Sequence, residues 1–255
     1  MPYLDELTPR AQAVGSVNTT KIVEKDGKTI HIGTNLDIQA ILNSLRQALT
    51  GTASPFDASV PSEFREGQAA ALVIGGGGAT RAAIYALHTM KLSPIYILNR
   101  DSAETQAIIK QFPTIDLREL TSVDQAKAEL KELEAKGTRF CVGVGCIPSV
   151  EPASEGEKMV YDVARALFSH PYPAVGGDNE GTQHFSIPEK PIFFDMAYKP
   201  IMTLLRVMAE ELGWRSESGV GIVAENCFEQ AEWWLGLSVS AKDREAIRKV
   251  VRDRQ

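Results

Sequence analysis

A chain of 255 residues with 44% hydrophobic content is long enough for one large domain or two small ones with real cores. Its net charge of −6 argues against direct nucleic-acid contact, because phosphate binding needs a basic face. No apolar run is long enough to span a bilayer, and the first residues lack a charged-then-apolar leader pattern. The cysteines Cys141, Cys146 and Cys227 are few and irregularly spaced, so they read as free thiols of a cytoplasmic protein with no metal site.

In chain order, Val14–Thr20 and Thr29–Gly33 are expected as short strands around a turn at Asp26-Gly27. From Asp37 to Leu49, apolar residues at 38, 41, 42, 45 and 49 recur at helical spacing. Gly51–Gly67 is rich in Gly, Ser, Pro and Ala and reads as an exposed linker. Ala69–Ile74 is a continuous apolar run, the pattern of a strand buried on both faces. It leads into Gly75-Gly76-Gly77-Gly78 and a helix predicted over Ala79–Lys91. A strand at Ile95–Leu98, helices at Ala103–Gln111 and Val123–Lys136, and strands at Phe140–Val144 and Pro191–Met196 continue the alternation. Such alternation implies a parallel sheet with right-handed crossovers. The polar stretch Pro171–Pro188 reads as a surface excursion. Val220–Trp234 is predicted as a packed helix, with Trp233 and Trp234 as packing residues, and the charged Ala241–Gln255 as a helix facing solvent. The fold class is α/β, a Rossmann-like doubly wound parallel sheet.

The glycine turn carries the chemistry. A buried strand ending in Gly75-x-Gly77-x-x-Thr80 and opening a helix lets a pyrophosphate approach the backbone and meet unpaired N–H groups. Gly75, Gly77, Gly78, Ala79 and Thr80 are therefore candidate cofactor residues. The next strand ends at Asn99-Arg100-Asp101, about twenty residues on, where the adenosine ribose is read. A carboxylate there accepts from a 2′-hydroxyl and repels a 2′-phosphate. His88 reads as a surface residue, and His31, His170 and His184 have no nameable partner.

Gly75–Ala83 resembles the G-A-G-G-A-S-R-A-A turn of the shikimate/quinate dehydrogenase family. Val17-Asn18-Thr19 is similar to its V-N-T motif, Gly33-Thr34-Asn35-Leu36-Asp37 to G-x-N-T-D, and Tyr198–Thr203 to Y-x-P-x-x-T. The tail Gly219–Gly236 resembles its final G-x-x-x-L-x-x-Q-G helix. The motifs run nearly the whole chain in the family's order. Their style is that of its fungal members, among them the last domain of the arom protein and the quinate repressor.

The resemblance implies NAD(P)-dependent interconversion of 3-dehydroshikimate and shikimate, or of the quinate pair. It implies Asp37 as the catalytic carboxylate, and Asn18, Asp37, Tyr198 and Asn226 as substrate-binding residues. The implied division is 1–50 as a remnant of an N-terminal α/β substrate domain and 51–67 as linker. The dinucleotide domain follows at 68–205, and helices at 206–255 pack back on the substrate domain. The family's catalytic lysine lies in an N-V-T-x-P-x-K segment upstream of V-N-T, and Lys21, Lys25 and Lys28 stand in another context. Impaired turnover is therefore expected, with a non-catalytic metabolite- or nucleotide-sensing module as the alternative. Leu36, Ala40 and Asn226 replace the family's Thr, Gly and Gln. Asp101 and Glu104 favour NAD over NADP by repelling a 2′-phosphate. A partner domain or a homo-oligomer is a further expectation.

Overall fold

The structure is a computed structural model that describes residues 3–51, 61–172 and 184–252, the last two without their side chains. Much of the expected linker and of the 171–188 excursion lies outside these residues.

Five elements form the first layer: β1 (Glu6–Leu7), α1 (Pro9–Val14), β2 (Thr19–Lys25), β3 (Lys28–Thr34) and α2 (Asp37–Thr50). β3 lies central, parallel to β1 and antiparallel to β2. Lys25 pairs with Lys28 across Asp26-Gly27, both at positive φ, which is the two-residue hairpin that the sequence announces. The strand expected from Val14 is corrected. Thr8 caps a six-residue helix by accepting from Ala11 N, with Pro9 in its first turn, and the strand starts only at Thr19. One and a half turns are too few for periodicity to reveal.

The second layer runs β4 (Ala69–Ile74), α3 (Gly78–Thr89), β5 (Ile95–Leu98), α4 (Ser102–Gln111), β6 (Leu117–Leu120), α5 (Val123–Ala135), β7 (Arg139–Gly145), α6 (Glu155–Phe168), β8 (Ile192–Asp195), α7 (Leu204–Glu211) and β9 (Arg215–Ser218). The strands are all parallel, in the order β6-β5-β4-β7-β8-β9. Renumbered from β4 this is 3-2-1-4-5-6, the dinucleotide-binding order with its switch point between β4 and β7. The α/β doubly wound fold is thus observed. One core packs α2, α3 and α4 on one face of the sheet, and the other packs α5, α6 and α7 on the opposite face. Every residue of β4 is fully buried, and each large aliphatic there contributes about 1.5–3 kcal/mol.

Two helices close the chain, α8 (Val220–Leu235) and α9 (Ala241–Arg252). α8 packs on α2. α9 faces solvent over most of its length, as expected, but Arg244 and Arg248 turn inward and are only 4% and 5% exposed, because carboxylates of α8 pair with them. Trp234 is likewise no packing residue. It is 45% exposed, and its indole N–H donates to Thr20 O at 2.9 Å, tying α8 to β2.

Candidate dinucleotide and substrate cleft

Gly75 ends β4 at φ +133°, a region that side chains rarely adopt, and its N–H donates to Leu98 O at 2.9 Å. The chain then turns into α3 with Gly77 at the cap position and no side chain capping the first amides. Those amides and the positive end of the helix are free for an anion. A Cβ on Gly77 would meet nothing within 4 Å, so the open side of the turn faces a space that protein does not fill. Arg81, the arginine of the glycine-turn motif, donates to the carbonyls of Gly76 and Gly77 at 3.1 and 3.0 Å. It holds those carbonyls back and keeps the amides facing outward. Thr80 is fully buried beneath the turn, with its hydroxyl 3.0 Å from where a Gly75 Cβ would stand.

Beside the turn lies a cleft of about 430 Å³ across the ends of β4, β5 and β7. Leu98, Ile147, Pro148 and Val160 give it apolar walls; Asn99, Arg100, Glu104, Glu151 and Glu157 give it a polar rim. The glycine turn, the uncapped helix end and the apolar wall fit the pyrophosphate and adenosine of a dinucleotide.

The polar groups that follow β5 are already engaged. Asp101 is the N-cap of α4 and accepts from Ala103 N at 2.8 Å and Glu104 N at 3.3 Å. Asn99 donates to Glu104 Oε2 at 3.2 Å and to Asp101 O at 3.0 Å. Arg100 pairs with Glu157. Backbone amides of Ser154 and Ala153, the Ser154 hydroxyl and then Arg100 hold the Glu157 carboxyl down to about 2.

Against Gly78 of the glycine turn, the loop before α2 is built from amide side chains. Asn18 is exposed, and its Oδ1 accepts from Leu36 N at 3.0 Å. Asn35, 1% exposed, donates to Ser16 Oγ at 2.9 Å and accepts from Asp37 N. Ser16 in turn lies against Gly78: its Oγ is 3.4 Å from the Gly78 carbonyl, and a Cβ on Gly78 would come within 3.3 Å of it. The turn holding Asn18 and Asp37 is thereby pressed onto the glycine turn.

Asp37 is the first residue of α2, not its cap; that position is Leu36, which makes no side-chain bond to the helix. The Asp37 carboxylate instead accepts from Asn226 Nδ2 at 2.8 Å, joining residues 189 positions apart. Among the described residues no lysine pairs with it. Tyr198 is 43% exposed on the loop after β8, and no hydrogen bond among the described residues joins it to Asp37 or Asn226.

That loop has an anchor with no signal in the sequence motifs. Asp195, 1% exposed at the end of β8, accepts from Thr203 Oγ1 at 2.5 Å and Ala197 N at 3.1 Å. Burial raises its carboxyl to about 6 against these bonds. Thr203 also caps α7, so the threonine of Y-x-P-x-x-T serves the loop and not a ligand.

His88 is exposed at the end of α3. His170 stands 3.0 Å from Glu134 and His31 3.2 Å from Asp5, partners that sequence alone does not name. Among the described residues no group of His, Cys, Asp and Glu is arranged to hold a metal, and no helix is long and apolar enough to cross a membrane.

No family model matches the chain. Among solved structures, it is similar to the dehydroquinate dehydratase and shikimate dehydrogenase of S. pombe AroM, with 27% identity and a TM-score of 0.66 over 96% of this chain and 40% of that one. It is similar to the shikimate dehydrogenase of Aquifex aeolicus at 22% identity and TM-score 0.62, over 96% and 71% of the two chains. The shikimate 5-dehydrogenase of Thermus thermophilus, in complex with NADP(H) and shikimate, gives 21% and 0.60 over 98% and 74%. The chain thus spans 40% of the length of the AroM structure and about three quarters of the other two, and the fold it shares with them is that of the shikimate dehydrogenases.

Proposed function

We propose that the chain is an NAD(P)-dependent oxidoreductase of shikimate/quinate dehydrogenase type. Residues 68–205 would hold the dinucleotide, and 1–50 with 206–255 would face the substrate. The observation that carries this is the contact of Ser16 with Gly78. It sets the Asn18–Asp37 turn beside the helix end that suits a pyrophosphate, so substrate and cofactor would share one cleft.

A bound nicotinamide would exchange a hydride with a ring carbon of the polyol acid. The chain's own residues would orient that acid. Asp37 accepts from a substrate hydroxyl while Asn226 keeps the carboxylate aimed, and Asn18 supplies a further polar contact. Tyr198 would flank the substrate. The alkoxide formed on ketone reduction needs a proton, and a lysine beside Asp37 would supply it. No described lysine does so. We therefore expect these 255 residues alone to turn over roughly 10²–10⁴-fold more slowly than an intact member of the family. Oxidation of shikimate and quinate with NAD⁺ and NADP⁺ tests this, and a rate equal to that of an intact enzyme would refute it.

NAD is favoured over NADP, although the Thermus thermophilus structure holds NADP(H). Glu104, Glu151 and Glu157 line the cleft, and the arginine among its described lining residues, Arg100, is already paired. A 2′-phosphate there meets net negative charge.

A second reading, a metabolite- or nucleotide-sensing module without turnover, is favoured by the Asp37–Asn226 bond, which occupies the carboxylate with an amide instead of a proton donor. Binding of shikimate or quinate without oxidation would select it. A partner domain or second copy would add at the free edges of β1 and β2, and light scattering reads either. A cytoplasmic setting suits the three free thiols.

A further inference from the structure

The helix α9 reaches the substrate side of the cleft through a chain of polar contacts. Glu225 and Asn226 are neighbours on α8, and both bond α2. Glu225 Oε2 accepts from Asn43 Nδ2 at 3.0 Å, and Asn226 Nδ2 donates to Asp37 Oδ1 at 2.8 Å. Two rungs from adjacent residues fix both the register and the rotation of α8 against α2. Glu225 is 2% exposed, and a carboxylate that deep needs cationic partners. α9 provides them. Arg248 Nε donates to Glu225 Oε1 at 2.6 Å, and Arg244 Nη1 stands 3.6 Å from Oε2. Arg244 also pairs with Glu232 at 2.6 Å, and both guanidinium groups lie over the Phe228 ring.

We propose that Arg248 is a positioning residue for the candidate substrate site. It holds Glu225, Glu225 sets the turn of α8 that carries Asn226, and Asn226 aims the Asp37 carboxylate. The proposal rests on the dehydrogenase reading for its consequence, though not for its geometry. Without Arg248, one oxygen of a buried carboxylate loses its partner. The α8 turn then rotates to rehydrate it and draws Asn226 off Asp37. None of the hydrogen bonds or ion pairs of this network ends on the glycine turn between β4 and α3, so dinucleotide binding changes little.

The test is the ¹⁵N-resolved side-chain amide of Asn226, assigned by its loss in Asn226→Asp, in the unliganded chain. In Arg248→Met this signal shifts and its exchange protection falls, and Arg248→Lys restores most of both. In the same variant the affinity for shikimate or quinate falls by roughly tenfold or more. That for NAD⁺ changes by less than about twofold. Should Arg248→Met not fold, Arg248→Gln, which keeps a donor without the charge, gives the same readouts. An unmoved Asn226 amide, or equal loss of both ligands, overturns the proposal. A native chain that binds neither acid counts against the dehydrogenase reading, while the amide signal still decides the coupling.

Discussion

At the scale of single residues, the glycines of the turn separate fold from ligand. A methyl group on Gly77 would touch no protein atom, and the backbone there is one that alanine adopts. Gly77→Ala is predicted to cost no more than about 1 kcal/mol, as the loss of a favourable cap residue. It is predicted to weaken a dinucleotide by roughly tenfold or more, because the pyrophosphate must approach the main chain there. Thermal melts and a nucleotide titration check the two halves separately. Gly76 behaves otherwise: its Cβ would collide with Asn99 Nδ2 and Glu104 Oε2, so alanine there disturbs the ribose end directly.

Asp195 makes a second residue-scale prediction. Its carboxyl is raised from the ordinary 3.8 to about 6 by burial, so ionisation is less favourable in the folded state than in the unfolded one. The resulting cost is absent below about pH 4, grows as pH rises through 6, and reaches at most about 3 kcal/mol at neutrality. Acidifying from pH 7 to 5 should therefore stabilise the native chain relative to Asp195→Asn. Denaturant titrations at both pH values measure this, and a difference between the two proteins that does not vary with pH would contradict it.

Among the elements, length and caps decide what can be read. β4, β5, β7, β8, α2, α3 and α8 are legible because a continuous apolar run or a sustained helical period needs no context. β9 has no such signal: Arg-Ser-Glu-Ser is polar throughout and joins the sheet only because β8 offers an edge. β1 and α1 are too short to show a period, and β6, Leu-Arg-Glu-Leu, is charged at its centre. α6 is different. It is absent from the elements expected in chain order, yet Ser154-x-x-Glu157 announces a capping box ahead of apolar residues at 160, 163, 164, 167 and 168. Ser154→Ala removes one half of that box. It should cost about 1 kcal/mol and leave Glu157 titrating nearer the usual carboxylate range. Carboxyl NMR titration reads the second effect, and an unchanged Glu157 would show that the backbone amides of Ser154 and Ala153 hold it without the hydroxyl. Asp101 carries a comparable cap signal for α4, at a position that the spacing from the glycine turn also assigns to the ribose.

Over the whole molecule, the glycine turn is legible in sequence, because it follows locally from β4 and the residues that end it, whereas the strand order and its switch point emerge only from the assembled sheet. The substrate side is only half legible. Asn18 and Asp37 stand in short motifs, but Asn226 meets Asp37, and Arg248 meets Glu225, only after α8 and α9 fold back on α2. Charge alone does not show which side of α9 turns inward: Arg244 and Arg248 are buried where acidic α8 receives them, while most of the helix faces solvent. The free edges of β1 and β2 are blunted differently: β1 is two residues long, while β2 carries Lys21, Glu24 and Lys25.

On the reading proposed above, the turn after β4 holds the pyrophosphate of a nicotinamide dinucleotide. Calorimetric titration of NAD⁺ and NADP⁺ into the native chain and into Gly77→Ala tests it most directly. Saturable heat is predicted for the native chain, with NAD⁺ binding more tightly than NADP⁺, and roughly tenfold or more weakening in the variant. No heat from either nucleotide, or equal binding by the two proteins, would contradict it.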